Sequence, residues 1–227
     1  MPKATEEYSS GAKTIEIVMQ MPNGAGNHPA VLVLHGTYGL ELPFGPAIES
    51  FADAFVGKGI GAAIPRYFQS TGTTAGPSVG PQDILTNLPA WRRACGDALT
   101  FLGAHEGIDS RHLGLLGFSL GGHLSLELGM APPTGVAVKC VVDFFGPTIG
   151  MEGTWSALPP VLIHHGDQDK DVPIAHSTHL VEKLKAAGKV QGRDYRLATY
   201  PGQAHGFTGS ALSDSRDATV AFCEGFL

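Results

Sequence analysis

The sequence predicts an α/β fold in which helices cover both faces of a mostly parallel sheet. Short apolar runs typical of buried strands alternate with longer runs of helical periodicity along the chain. One such pair is joined by Gly117-Phe118-Ser119-Leu120-Gly121, the pattern of a tight strand-to-helix turn. Strands that alternate with helices in this way favour parallel pairing with helices on both sides.

Three strands and two helices are expected in the first half of the chain. Residues 14–21 have the pattern of an edge strand, whereas residues 30–34 and 61–65 are short and apolar, as buried strands are. Residues 47–58 have helical periodicity. Residues 89–106 place one apolar face on a helix, formed by Trp91, Ala94, Cys95, Ala98, Leu99 and Leu102.

The second half continues the alternation around Ser119. A mostly apolar run at residues 111–116 predicts a buried strand before this serine, and residues 122–130 space leucines among small residues, as in a helix. The remaining elements follow the same two patterns, with strands at residues 138–145, 161–165 and 195–200 and helices at residues 174–187 and 213–226.

Gly-x-Ser-x-Gly between a strand and a helix is the pattern of a nucleophile elbow, with Ser119 on the turn. Glycines at positions 117 and 121 let the strand and the helix approach each other closely. The backbone N–H of Leu120 follows the serine at the helix N-terminus, where it can stabilise an oxyanion.

A serine nucleophile needs a base to take its proton and a third group to orient that base. One predicted buried strand ends in a loop that carries Asp167, Asp169 and Asp171. Catalytic acids of open α/β sheets lie at such strand ends. His205 follows the last predicted strand on a glycine-flanked loop, so the order along the chain is serine, aspartate, histidine, as in α/β-hydrolases.

With these residues in place, the sequence resembles the α/β-hydrolase superfamily, and most closely the small, capless members of the dienelactone hydrolase family. The resemblance extends from Val31 to Phe226. It is carried by four separated motifs, which are Leu34-His35-Gly36-Thr37-Tyr38-Gly39, Gly117-Phe118-Ser119-Leu120-Gly121-Gly122, His165-Gly166 with Asp169 and Val172-Pro173, and Ala204-His205-Gly206-Phe207.

The resemblance implies a role for each of these residues. Ser119 would be the nucleophile and His205 the base, and Asp169 would be the acid because the family places it three residues after the glycine. The backbone N–H of Thr37 would join that of Leu120 in the oxyanion hole. The candidate residues of the substrate pocket are Gly36, Tyr38, Arg66 and Phe207.

Three departures from the family pattern concern the substrate. Ser119 stands where true dienelactone hydrolases have a cysteine. Gly36 aligns with a glutamate that those enzymes have in the loop that supplies the second oxyanion donor, here Thr37. Ser70 and Gly209 align with two arginines that bind the substrate carboxylate in that family. Arg66, four residues before Ser70, is a nearby cation that would substitute for them.

These observations predict a single domain, residues 1–227, that hydrolyses carboxylic esters of short acyl chains through an acyl-enzyme, without a metal or an organic cofactor. The small-molecule ester is the expected partner. One alternative is a lactonase or dienelactone-type hydrolase. Another, from a different class, is a non-catalytic hydrolase-like domain that binds a ligand. Loss of a triad residue would favour the binding domain, and none is lost.

Composition excludes several other functions. The net charge of −6 arises from 21 acidic and 15 basic residues without long runs of either sign, so no nucleic-acid or membrane surface is indicated. The odd number of cysteines predicts buried free thiols. Residues 1–7 lack the apolar core of a signal peptide, and no run reaches about 18 apolar residues. We therefore expect a cytoplasmic protein, whose oligomeric state the sequence leaves open.

Two further features have expected roles. Residues 69–82 are rich in Gly, Ser, Thr and Pro, so they predict an irregular segment that either rims the pocket or is an ordinary solvent loop. His35 and His165 each precede a glycine at a strand end, where we expect a structural hydrogen bond. Only about a dozen residues separate the strands at 138–145 and 161–165, too few for an inserted cap domain.

Overall fold

The computed structural model describes residues 3–24 and 26–227, which contain one eight-stranded sheet and five α-helices. The strands are β1 (Lys3–Ser10), β2 (Lys13–Gln20), β3 (His28–Leu34), β4 (Gly61–Pro65), β5 (Ile108–Phe118), β6 (Val138–Phe144), β7 (Val161–Gly166) and β8 (Tyr195–Tyr200). The helices are α1 (Gly45–Val56), α2 (Pro81–Ala104), α3 (Leu120–Met130), α4 (Ala175–Ala186) and α5 (Gly209–Glu224).

The strand order in the sheet is β1-β2-β4-β3-β5-β6-β7-β8. Strands β4, β3, β5, β6, β7 and β8 pair in parallel, whereas β1 and β2 form an antiparallel extension at one edge. Because parallel strands run in one direction, the carboxyl ends of β3, β5, β7 and β8 meet at a single edge of the sheet. That edge is where ligands bind in open α/β sheets, and it carries the predicted site residues.

The helices pack on both faces of the sheet, as predicted. Apolar side chains of α2, α3 and α4 bury one face, and those of α1 and α5 bury the other. Successive residues of β3 point to alternate faces, so that Leu32 lies in the first layer and Val33 in the second. Both strand faces are therefore apolar, which explains the continuous apolar runs in the sequence.

Strand β1 is an element that the sequence does not predict. It is polar, and among its side chains Tyr8 and Ser10 are buried. It forms a hairpin with β2, and the turn contains Gly11 at a φ of +57°. Backbone pairing to β2 stabilises this strand without an apolar face of its own. Met1 and Pro2 of the polar N-terminal stretch lie outside the described residues.

Helix α2 begins at Pro81 rather than at residue 89. Pro81 occupies the first turn, where its missing N–H is no loss, and Asp83 accepts a hydrogen bond from the Gly80 N–H at 2.9 Å. Pro89 is then inside the helix, although proline usually ends one. Burial of the apolar face that begins at Trp91 outweighs this local penalty, which a sequence pattern does not measure.

The segment between β6 and β7 holds one short 3₁₀ helix, Trp155–Ala157, and forms no cap over the sheet edge. The three cysteines of the chain are buried free thiols, as expected. In the described part of the chain, no helix combines the length and apolarity that a bilayer crossing requires.

Candidate active site

Ser119 lies on the turn between β5 and α3, with φ at 55° and ψ at −117°. A side chain at Gly117 would collide with the carbonyl oxygen of Gly121, and one at Gly121 would collide with that of Leu34 in β3. The two glycines therefore allow strand and helix to meet at the distance that the turn requires. The positive φ of the serine is a strained conformation of the kind concentrated at functional sites.

Three loops bring Ser119, His205 and Asp169 together. His205 Nδ1 lies 2.7 Å from Asp169 Oδ2, and His205 Nε2 lies 3.0 Å from Ser119 Oγ. A carboxylate only accepts hydrogen bonds, so Nδ1 carries the proton of the neutral ring. Nε2 is then free to accept the hydroxyl proton of Ser119, which is the arrangement of a serine nucleophile and its base.

Asp169 is held by the backbone of its own loop. Its Oδ1 accepts hydrogen bonds from the N–H groups of Asp171 at 3.0 Å and Val172 at 2.9 Å. Burial raises the pKa of the Asp169 carboxyl, but the hydrogen bonds from His205 and Val172 outweigh burial, and the pKa lies below its usual value. The carboxylate is therefore ionised where it faces His205.

The two neighbouring carboxylates have different surroundings. Asp167 Oδ1 accepts the N–H of Gly202 at 2.7 Å, so this side chain ties two loops together. Asp171 is exposed and lines the cavity beside Ser119. Of the three carboxylates that the sequence offered, Asp169 is thus the one hydrogen-bonded to His205.

His165 has a larger role than the expected structural hydrogen bond. Its Nε2 donates to the Val172 carbonyl at 2.8 Å and lies 3.5 Å from Asp169 Oδ2. Its Nδ1 accepts the hydroxyl proton of Ser177 at 2.6 Å. Burial lowers the pKa of His165, so the ring is neutral and this pattern of one donor and one acceptor is fixed. The sequence gives no signal of the contact with Asp169, because it depends on the path of the loop.

The loop after β3 lies directly against Ser119. A side chain at Gly36 would come within 3.2 Å of Ser119 Cβ. The Tyr67 hydroxyl donates to the His35 carbonyl at 2.7 Å, and the two rings stack at 4.1 Å between centroids. Burial lowers the pKa of His35 to about 4, so the ring is neutral and donates from Nδ1 to the Gly36 carbonyl at 2.8 Å.

The two residues predicted to donate to an oxyanion are Leu120 and Thr37. Leu120 is the first residue of α3, so its backbone N–H has no acceptor within the helix. Thr37 follows Gly36 on the loop that packs against Ser119, and its carbonyl accepts the N–H of Gly76 at 2.9 Å. Thr37 and Ser119 line the same cavity, and Leu120 follows Ser119 directly.

A cavity of about 630 Å³ opens beside Ser119 and His205. Gly36, Tyr38 and Phe207 line it, as predicted from the sequence. Most of its other walls are apolar, and they include Pro43, Phe44, Ile48, Phe51, Val79, Phe118, Phe144, Phe145, Val172 and Leu212. Its volume is within the range of small-molecule sites.

Arg66 does not line this cavity, contrary to the expectation from the sequence. Its guanidinium Nε lies 3.3 Å from Glu16 Oε2, and its backbone N–H donates to the Glu16 carbonyl at 2.8 Å. Arg66 follows β4, whose antiparallel neighbour β2 carries Glu16, so strand pairing draws the guanidinium to that side. Ser70 and Gly209 lie outside the cavity lining as well.

Two cavity features were not specified by the sequence. Phe145 has a φ of 44°, and its ring centroid lies 4.6 Å from that of His205 and 5.6 Å from that of Phe207. Gly76 and Val79 also line the cavity. Of the two alternatives for residues 69–82, this favours a segment that rims the pocket over an ordinary solvent loop. The sequence does not predict these features, because neither the φ of a single residue nor the path of an irregular loop produces a periodic pattern.

In residues 3–24 and 26–227, no group of three or more His, Cys, Asp and Glu side chains is arranged to hold a metal ion. The chemistry that the site offers comes from the serine, the imidazole, the carboxylate and the backbone N–H groups. Together they can activate a hydroxyl nucleophile and stabilise the anion that forms when it attacks a carbonyl.

Comparison with known proteins gives consistent results. The human protein named carboxymethylenebutenolidase homolog is 26% identical over 232 residues, covering 96% of this chain and 88% of that protein. The protein of the same name from Xenopus tropicalis is 29% identical over 114 residues, which are 50% of this chain and 44% of that protein. The crystal structure of a dienelactone hydrolase-like promiscuous phosphotriesterase from metagenomic libraries matches with a TM-score of 0.83 at 19% identity, covering 99% of this chain and 98% of that one.

A family match covers most of the fold. The model of the dienelactone hydrolase family matches residues 15–222, from the second strand to the last helix. This range includes the turn with Ser119, the loop with Asp169, the loop with His205 and the loop after β3. The chain therefore belongs to the dienelactone hydrolase family, a family of α/β-hydrolase-fold enzymes.

Proposed function

We propose that the protein is a serine hydrolase that cleaves carboxylic esters with small acyl groups through an acyl-enzyme. The observation that carries this proposal is the chain of contacts from Ser119 Oγ to His205 Nε2 at 3.0 Å and from His205 Nδ1 to Asp169 Oδ2 at 2.7 Å, at the wall of a cavity. This arrangement can activate a hydroxyl group that is otherwise a poor nucleophile at neutral pH.

The proposed reaction has two halves. Ser119 Oγ attacks the ester carbonyl while His205 Nε2 takes the hydroxyl proton, and the N–H groups of Leu120 and Thr37 stabilise the oxyanion. The tetrahedral adduct collapses as His205 returns the proton to the leaving alcohol. A water molecule, deprotonated by His205, then releases the acid from Ser119. Asp169 orients the imidazole and stabilises its protonated form.

The size and the lining of the cavity favour a substrate with a small, uncharged acyl portion. A volume of about 630 Å³ has to hold both the acyl and the alcohol portion of an ester. No lysine or arginine lines it in the described part of the chain, so a substrate carboxylate would have no bidentate partner. Dienelactone hydrolysis is thus a weaker expectation than ester hydrolysis.

Lactone hydrolysis is the second candidate. The human relative is named carboxymethylenebutenolidase homolog, and the same attack on a lactone carbonyl would open the ring while the alcohol stays attached. The two candidates share the nucleophile and the oxyanion donors. They differ in whether the cavity accepts a ring, so direct comparison of matched substrates distinguishes them.

A fluorophosphonate probe tests the proposed chemistry. We expect the protein to be labelled at Ser119 and to hydrolyse p-nitrophenyl acetate, whereas Ser119→Ala folds but loses both properties, with kcat reduced by on the order of 10⁶. Labelling elsewhere, or more than a tenth of the wild-type activity in Ser119→Ala, would contradict the assignment. Absence of both labelling and hydrolysis in the wild type would favour a non-catalytic binding domain.

A substrate series tests the acyl preference. Each buried methylene adds about 0.8 kcal/mol only where there is a wall to cover it, so we expect kcat/KM to be highest between p-nitrophenyl acetate and butyrate. The laurate ester and a dienelactone should be poorer substrates. Preference for laurate or for the dienelactone would refute this interpretation of the cavity.

The proposed mechanism uses no metal ion. Incubation with EDTA should leave the rate of p-nitrophenyl acetate hydrolysis unchanged, because no step needs a Lewis acid. Loss of activity that added zinc restores would contradict the mechanism.

A further inference from the structure

The charge of the cavity differs from what an anionic substrate would need. Asp171 is the one Asp, Glu, Lys or Arg side chain among the cavity-lining residues that the structure describes. It is exposed, and its neighbour Lys170 does not line the cavity. Arg66, the expected cation, is paired with Glu16 elsewhere. A fixed negative charge and no lining cation favour uncharged or positively charged groups over negatively charged ones.

The position of Asp171 indicates which part of the substrate it faces. His205 returns its proton to the leaving oxygen, so the alcohol portion lies on the His205 side of Ser119. Asp171 is in the loop of Asp169, which binds His205, and its N–H donates to Asp169 Oδ1 at 3.0 Å. Asp171 thus lines the cavity from the loop that binds His205, which is the side of Ser119 where the alcohol portion leaves.

Aromatic residues line the same cavity near His205. Phe145 and Phe207 line the cavity close to His205, and Phe44 packs against Gly206. Tyr38 lines the same cavity and meets Phe44 edge to face, with 5.1 Å between ring centroids. The faces of such rings attract organic cations, ammonium groups in particular.

We propose that the site selects esters whose alcohol portion carries an ammonium group, with Asp171 as the residue that sets this preference. The inference rests on the proposed ester hydrolysis and adds the charge of the substrate to it. It involves no new chemical step, because the ammonium group stays on the alcohol that leaves.

Three acetate esters of similar size test the preference. Choline acetate carries a positive charge, 3,3-dimethylbutyl acetate is its uncharged isostere, and 4-acetoxybutanoate carries a negative charge. We expect kcat/KM to be about 3- to 10-fold higher for choline acetate than for the uncharged ester at low salt, and lowest for the anion. The ratio should decrease towards 1 M salt, where the Debye length falls to about 3 Å and screens the Asp171 charge, while ring contacts keep it above one.

Asp171→Asn should reduce the ratio of kcat/KM values, cation over uncharged isostere, by about 3-fold or more. Asp167→Asn is the matched control, because this carboxylate is in the same loop but bonds to Gly202 and does not line the cavity. It should keep the wild-type ratio.

The two proposals can fail separately. If the uncharged ester is hydrolysed in a Ser119-dependent way but the three esters react alike, the charge preference is wrong and the ester hydrolase remains. If Asp171→Asn leaves the ratio unchanged, or changes it no more than Asp167→Asn does, Asp171 does not set the preference and the inference is wrong. If no acetate ester is hydrolysed and the fluorophosphonate does not react, the proposed function is wrong, and the inference with it.

Discussion

Asp169 is distinguished from its neighbours by contacts rather than by residue type. Its two oxygens have separate tasks, since Oδ1 accepts two backbone N–H groups and Oδ2 faces His205 Nδ1 at 2.7 Å. Asp169→Asn would place an amide opposite the imidazole and allow the wrong tautomer. We expect kcat for p-nitrophenyl acetate to fall by about 10⁴-fold.

Asp167→Asn is the matched control for this variant. Its side-chain oxygen can still accept the Gly202 N–H, so stability and activity should stay close to those of the wild type. Should Asp167→Asn be the more damaging of the two substitutions, the assignment of Asp169 as the acid would be wrong.

The contacts of His165 lead to a second prediction at the residue scale. Its Nε2–H donates to the Val172 carbonyl beside Asp169, which fixes this tautomer, and its Nδ1 accepts the hydroxyl proton of Ser177. His165→Leu removes the donor, whereas Ser177→Ala removes only the hydroxyl bonded to Nδ1 and leaves the bond to the Val172 carbonyl in place. Because small displacements of catalytic groups reduce rates strongly, we expect kcat to fall by about 10- to 100-fold in His165→Leu and less in Ser177→Ala, with little change in KM.

The adjacent histidine provides the matched control. His164 is equally buried, but its nitrogens bond to the hydroxyl groups of Tyr200 and Thr219 and not to Asp169. His164→Leu and Thr219→Val should lower the melting temperature without lowering kcat per fluorophosphonate-reactive site. If the two histidine variants lose stability and kcat in the same proportion, His165 acts only through general stability.

At the scale of the elements, the turn between β5 and α3 depends on glycine at close approach. A side chain at Gly121 would meet the backbone carbonyls of Leu34, which is paired with β5, and of His35, which accepts the Tyr67 hydroxyl. We expect Gly121→Ala to lower the free energy of unfolding by about 3 kcal/mol and to abolish fluorophosphonate labelling. Urea titration and probe labelling measure the two effects.

Gly57 at the end of α1 is a suitable control for this substitution. Its φ is −60°, and the nearest atom to an added side-chain carbon is 3.4 Å away. Gly57→Ala should therefore change the free energy of unfolding by less than about 0.5 kcal/mol. Equal stability of the two alanine variants would show that α3 and β3 are not as closely packed as the structure indicates.

The elements that the sequence predicts are those with a regular apolar pattern. Strands β3 to β8 and the face of α2 that contains Trp91 have such a pattern, because each buries one or both faces in the core. Strand β1 has none, since pairing with β2 stabilises it. The first turns of α2 precede Pro89, whose local penalty favours a later start.

The same distinction applies to the site. Ser119, Asp169 and His205 follow strands at one edge of the sheet, so sequence order and strand direction together predict their proximity. The side-chain path of Arg66, the ring position of Phe145 and the contact from His165 to Asp169 depend on tertiary packing. No local pattern encodes such contacts, so they required the structure.

At the scale of the whole molecule, one buried carboxyl group makes stability depend on pH. Asp143 of β6 is fully buried, its Oδ1 accepts the Gly146 N–H at 3.0 Å, and its Oδ2 has no hydrogen-bond partner among the described residues. Burial raises the pKa of Asp143 from 3.8 to about 7, although the Gly146 hydrogen bond acts in the opposite direction. The folded protein therefore holds a proton here that the unfolded chain loses.

This difference sets the direction of the pH effect. Between pH 3.8 and about 7 the folded state binds more protons at Asp143 than the unfolded state does, so this residue's contribution to stability decreases as the pH rises. Below pH 3.8 Asp143 is protonated in both states and does not alter stability with pH. Above about pH 7 it is ionised in both states, and burial of the charged carboxylate destabilises the folded state by its full amount. The shift corresponds to a penalty of about 4 kcal/mol at alkaline pH.

Asp143→Asn isolates this contribution, because the amide resembles the protonated acid and keeps an acceptor for the Gly146 N–H. All other ionisable groups are common to both proteins, so their effects cancel in the difference between the two unfolding free energies. We expect the asparagine variant to gain about 4 kcal/mol relative to the wild type between about pH 4 and about pH 8. Urea unfolding at four or five pH values measures this gain. A difference that stays constant over the range, or one that favours the wild type as the pH rises, would show that Asp143 is ionised in the folded protein at neutral pH.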